Sequence, residues 1–184
     1  MLNLLDLDER TRKFMIAEVD FDIQRGKIYP SPRLSKRGTT DFSDLLRQAV
    51  EQFSDSWLAN ELRQHGRLNS MEGYTRNGRN HTRKMSAIAH EMLAEGEFNR
   101  FFTRGLCLRA VDENTSELFV YRAKSVSSPR FESEQLIGNR LAPQSLLRDL
   151  RKNVGTDTEH GMPGGPNSGL SVCLPASYKT ISGS

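Results

Sequence analysis

The chain has 184 residues, 36% hydrophobic and 27% charged, with a formal net charge of +3 and a mean hydropathy of −0.60. That length suits one domain, or one domain with long arms, and the apolar share falls below the ~45–50% of an average soluble domain. No apolar run approaches the ~20 residues that span a bilayer, and Met1–Glu9 lacks the basic and long apolar regions of a signal peptide, so a cytoplasmic protein with no membrane contact is expected.

The first predicted element is a helix over residues 7–25, with Asp6 and Glu9 as a capping pair and Gly26 as its stop. Leu7, Phe14, Met15, Val19, Phe21 and Ile23 mark its apolar stripe. Residues 27–40 follow as a basic, extended arm, because Pro30 and Pro32 remove backbone donors and hold φ. A second helical unit covers residues 42–64 in two pieces. Asp41 caps the first, with Leu45, Leu46, Ala49, Val50 and Phe53 inward; Ser54 or Asp55 caps the second, with Trp57, Leu58 and Leu62 on one side.

Residues 67–84 show no apolar periodicity. Asn77-Gly78 is a turn signal, and the rest reads as a mobile or partner-ordered loop. A third helix is predicted over 86–111, with a break near Glu95-Gly96-Glu97 and its densest apolar face at Phe98, Phe101, Phe102, Leu106 and Ala110. Leu118–Ala123 has strand-like residues, and Pro143 opens a short helix with Leu146, Leu147 and Leu150 inward. From Lys152 onward Gly, Pro, Ser, Thr and Asn dominate, and only residues 170–174 have strand character. The expected fold is therefore mainly α with a small β component (α+β). A helical body over 1–151 carries basic loops at 27–40 and 67–84, and a Gly/Pro-rich C-terminal arm covers 152–184.

The chemical motifs are weak. Gly164 and Gly169 bracket four residues as in a phosphate loop, but Leu170 stands where the lysine belongs and Pro175 ends the following run. His90-Glu91 lacks the second histidine of a zinc helix, since Ala94 occupies that position, and the other histidines are dispersed. Cys107 and Cys173 have neither disulfide nor zinc spacing. No metal and no cofactor are expected. Glu91, Glu95, Glu97, Arg100 and Arg104 read as an interhelical or interfacial ion-pair network; an unrecognised enzyme site would involve His90, Glu91, Glu95 and Glu97. Arginine exceeds lysine, and the basic runs holding Arg33, Lys36 and Arg37 and Arg76, Arg79, Arg83 and Lys84 suit phosphate or carboxylate partners, with Tyr29 or Tyr74 available to stack.

Leu93–Ala110, Leu118–Lys124, Pro129–Glu134 and Pro163–Gly169 together resemble a family of bacterial and prophage-borne proteins. The organisation is similar to small tailed-phage virion proteins, such as head–tail connectors and neck or capsid-lining subunits. That resemblance implies a non-enzymatic structural protein of a phage-like particle, assembled in the bacterial cytoplasm and located in the virion. Its partners would be copies of itself, neighbouring virion proteins and packaged DNA. Leu170, Val172 and Leu174 would then form an anchoring clip, packed on their own body or on a neighbour. The alternative from the residues themselves is a nucleic-acid-binding accessory or regulatory protein using the arginine-rich loops.

Overall fold

A computed structural model describes residues 1–129, 131–154, 158–162 and 168–183. Among these residues the helices are α1 (Glu9–Gln24), α2 (Lys36–Gln52), α3 (Asp55–Arg63), α4 (Ala89–Asp112), α5 (Phe131–Leu136), α6 (Pro143–Lys152) and α7 (Pro175–Ser182). The strands are β1 (Met71–Arg76), β2 (Arg79–Lys84), β3 (Leu118–Arg122), β4 (Arg140–Leu141) and β5 (Leu170–Cys173). The fold is α+β and mainly α.

Helix α4 is the pillar. Every residue from Glu97 to Cys107 is buried, because α1, α2, α3, α6 and β5 all pack against it. A helix enclosed on all sides needs apolar residues on more than one face. Phe98, Phe101, Phe102, Leu106 and Ala110 meet that need and are fully buried. The helix runs without a break through Glu95-Gly96-Glu97, since Gly96 lowers helix propensity but leaves the backbone hydrogen bonds intact.

Helix α1 differs from expectation in its cap and in its inward face. Asp8, not Asp6, accepts the Thr11 amide at 2.9 Å. Asp6 faces the C-terminal segment, where it accepts from the Leu174 amide at 2.8 Å and the Ser177 hydroxyl at 2.6 Å. The buried face of α1 is Thr11, Met15, Glu18, Val19 and Asp22, whereas Phe14 and Phe21 are half-buried and Ile23 is exposed. Two acids face inward because α4 offers arginines there.

Helix α2 begins at Lys36, six residues before the expected start, with Ser35 accepting from the Gly38 amide at 3.1 Å. Its first turns hold few apolar residues, so periodicity starts late. Residues 27–40 are thus not an extended arm: they are a turn-rich connection followed by helix. Leu45, Leu46, Ala49 and Val50 are buried as expected; Phe53 is 40% exposed and stacks on Trp57, with ring centroids 4.3 Å apart. Ser54 caps α3 by accepting from the Trp57 amide.

Strands β4, β3 and β5 form an antiparallel sheet in that order. Strand β5 is buried at every position and joins the main core, while Asn99 of α4 donates to the Leu170 carbonyl at 2.8 Å and accepts from the Ser171 hydroxyl at 2.7 Å. The expected free arm over 152–184 is therefore folded wherever it is described. Asp149 accepts from the Glu159 and His160 amides, Met162 is fully buried, and Pro175 opens helix α7, which the composition did not suggest. Leu170, Val172 and Leu174 are 1%, 0% and 8% exposed, so of the two placements expected for them it is the chain's own body on which they pack. The phosphate-loop-like stretch falls mostly on residues 163–167, outside the described residues; Gly169 accepts from the Ala123 amide and leads straight into β5. No helix among the described residues is long and apolar enough to cross a membrane.

Two helical glycines should respond oppositely to the same substitution. A Cβ on Gly38 would lie 2.0 Å from the Arg67 carbonyl oxygen, while one on Gly96 meets nothing within 4 Å. Gly38→Ala should destabilise by about 1–3 kcal/mol through overpacking against backbone. Gly96→Ala should stabilise by about 0.5–1 kcal/mol through helix propensity. Urea midpoints of the two variants, measured side by side, check the sign of each.

Candidate nucleic-acid interface

Strands β1 and β2 form a hairpin, not the unstructured loop expected over 67–84. Their register pairs Met71 with Lys84, Glu72 with Arg83, Gly73 with Thr82, Tyr74 with His81, Thr75 with Asn80 and Arg76 with Arg79. Asn77 and Gly78 both have positive φ, 51° and 71°, as a two-residue type I′ turn requires. Every residue of the two strands is exposed except Glu72, which is half-buried. An isolated two-stranded ribbon is marginally stable. Here a cross-strand ladder braces it: Tyr74 stacks on His81 at 5.3 Å, the Arg83 guanidinium lies 5.2 Å from the Tyr74 ring, and Arg83 donates to Glu72 at 2.8 Å.

The structure brings the two basic stretches together. Leu34 and Leu68 form an antiparallel bridge, Asn69 donates to the Arg33 carbonyl, and Ser35 donates to the Arg67 carbonyl. Arg33 reaches Glu72 at 3.5 Å, so Glu72 sits between two arginines. Arg67 is only 9% exposed and is structural: it donates to Asp41, and to both the carbonyl and the carboxylate of Glu61. Its hydrogen bond is the main cause that holds the Asp41 carboxyl below its usual range, against burial and with help from the Arg67 and Arg37 charges. Tight seating of α2 on this strand is what Gly38 permits. Arg37 is held at 3.5 Å from Asp41.

Alternation along the ribbon places Glu72, Tyr74, Arg76, Arg79, His81 and Arg83 on one face, and Met71, Gly73, Thr75, Asn80, Thr82 and Lys84 on the other. Among the described residues Lys36, Arg76, Arg79 and Lys84 have no ion-pair partner. Arg76 and Arg79 are direct cross-strand neighbours at the tip, an arrangement that costs free energy between like charges. Tyr29, the other stacking candidate, packs at the edge of the core instead. Sequence reasoning missed the hairpin because neither face is buried, so no apolar alternation marks it. The recoverable signal was Asn77-Gly78 between two polar runs of equal length.

The carboxylates considered for acid–base chemistry occupy a different place. Arg104 is fully buried and donates to Glu18 at 2.7 Å and to both oxygens of Asp22 at 2.5 and 2.9 Å. Arg100 donates to Glu97 and Asp22, and Arg151 of α6 donates to Glu18. Burial would raise the Glu18 carboxyl, but hydrogen bonds and attraction from Arg151 and Arg104 outweigh it and hold the group low. Burial, with a smaller repulsion from Asp22, pushes the Glu97 carboxyl up despite Arg100 and Arg104. The arginines and acids form an interhelical network joining α1, α4 and α6, with Glu91 left exposed and outside it. Glu95 is separate, between Lys124 and the Met1 ammonium. His90 lies beside Glu91 at 3.7 Å. Burial raises both thiols, Cys173 to about 12 and Cys107 further, so both are protonated near neutral pH. No group of three or more metal-type ligands is found among the described residues.

Comparison of the chain with protein-family models, with curated proteins and with solved structures finds no match in any of the three.

Proposed function

We propose that this is a non-enzymatic nucleic-acid-binding protein that holds the phosphate backbone on its projecting hairpin. The observation that carries the reading is the directly opposed Arg76–Arg79 pair at the tip, without a carboxylate partner among the described residues. Two like charges set opposite each other lose their mutual cost when a polyanion lies between them. Lys84, Lys36 and Arg37 extend the positive surface toward the base, where the first basic stretch meets the hairpin. A role inside a phage-like particle rests on the sequence resemblance; the segments expected as long arms at 27–40 and 67–84 are helix, turn and hairpin.

Fluorescence anisotropy of the full chain with a labelled mixed-sequence oligonucleotide tests the reading. About four phosphate contacts predict a log–log salt slope near −3.6, a loss on the order of a hundredfold between ~50 and ~200 mM salt. Arg76→Glu with Arg79→Glu should abolish binding and leave the thermal transition unchanged, because neither side chain touches the body. Absence of binding to any nucleic acid at low salt would sink the proposal.

A further inference from the structure

Resting on that reading, we infer that the hairpin's target is B-form duplex DNA, entered through the major groove. Single strands are gripped by open aromatic faces on which bases stack. On this ribbon the Tyr74 ring is already engaged by His81 at 5.3 Å and by the Arg83 guanidinium at 5.2 Å. The aromatic pair therefore stiffens the ribbon and is a poor platform for bases.

The remaining features fit a groove. Two strands ~4.8 Å apart and six residues long make a blade ~20 Å in length. A B-DNA major groove ~12 Å wide admits such a ribbon, and the deep, narrow major groove of A-form RNA does not. Both faces of the blade are polar near the tip. One presents Arg76 and Arg79, whose forks match the O6 and N7 acceptors of guanine; the other presents Thr75 and Asn80. Lys84 at the foot of the hairpin and Lys36, two residues past the Leu34–Leu68 bridge, are the cations without an ion-pair partner among the described residues that are left for phosphates. The tip arginines then lie between the phosphate walls of the groove with its base edges in reach, while the cations at the base hold the backbone outside it.

The test is an anisotropy competition with the full chain at constant low salt. The competitors are a guanine-rich DNA duplex, each of its single strands, the RNA duplex of the same sequence, and the DNA duplex carrying 7-deazaguanine. The DNA duplex should bind at least tenfold tighter than the single strands and the RNA duplex, and 7-deazaguanine should weaken it by about fivefold or more, as loss of base-edge acceptors does. Arg76→Ala with Arg79→Ala, which leaves no donor at the tip, should weaken binding and lose the sensitivity to 7-deazaguanine. Single strands or RNA binding as tightly as the DNA duplex would overturn the groove assignment while leaving the phosphate-binding reading intact. Equal affinity for the two DNA duplexes would overturn base reading by the tip. Failure of every competitor to bind would remove both proposals together.

Discussion

Replacing Arg104 by methionine should lower the unfolding free energy by about 3–5 kcal/mol, the cost of taking the central cation from two buried acids that keep only Arg151 and Arg100 at their edges. Arg104 is 0% exposed, and Glu18 and Asp22 are each 2% exposed, so water cannot stand in for the lost guanidinium. At this chain length a loss of that size lowers Tm by about 6–20 °C. Adding Glu18→Leu and Asp22→Leu should recover part of the loss, since an apolar replacement of a buried ion cluster is often neutral or better, while Arg100 is left with Glu97 alone. If the single variant melts within two or three degrees of the parent, the network does not hold α1 to α4. The pH response gives a second check. In the parent, Glu18 is held low, so its contribution is fully present above the ordinary carboxylate range and is lost as pH falls through the lower, folded value. In the variant the same carboxyl has lost a cation, so its folded value rises. Acid should then narrow the gap between variant and parent, as seen in Tm measured from about pH 7 down to about pH 2.

Deleting residues 162–184 should abolish cooperative unfolding. The deletion removes the buried side chains of Met162, Leu170, Val172 and Leu174, and strips β3 of its β5 partner. At about 1.5–3 kcal/mol each, those four side chains contribute roughly 6–12 kcal/mol, comparable with the ~5–15 kcal/mol that holds a whole domain. Asn99 also loses both partners in the β5 strand, which adds the cost of an unsatisfied buried amide. The truncated chain should keep helical far-ultraviolet dichroism and lose the near-ultraviolet signal and the sharp thermal transition. Removing residues 175–184 alone should do far less. Helix α7 has no buried residue, and its contacts with the body include the Asp6–Ser177 hydrogen bond and the Tyr178 ring on Phe119. A cooperative transition in the longer deletion near the parent Tm would mean that β5 is an accessory to the core.

Legibility in the sequence followed burial. Phe98, Phe101, Phe102 and Leu106, and Leu146, Leu147 and Leu150, repeat at helical spacing because one face of each helix must leave water. Those elements were readable to within a few residues. Helix α7 was not, since its N-terminal support is Asp6, 168 positions away from Leu174 in the chain. The early start of α2 depends on Ser35 and on a glycine whose reason is the Arg67 backbone beside it. The candidate interface was half legible. Its cations were visible as two separate runs, but their meeting was not, because the Leu34–Leu68 bridge pairs residues from opposite sides of α2 and α3.

By itself, then, the sequence determined which residues must be inside and which helices could carry them, because apolar periodicity is a local property. It also determined that arginine would dominate the surface chemistry. Only the tertiary structure decided where each charge went. Glu18, Asp22 and Arg104 went into the core because two helices, α1 and α4, bring them within hydrogen-bonding reach; Arg76 and Arg79 went to the tip of a ribbon because an Asn-Gly turn sets them face to face. Both outcomes depend on distances between residues far apart along the chain or across a fold in it, and no local pattern encodes those distances.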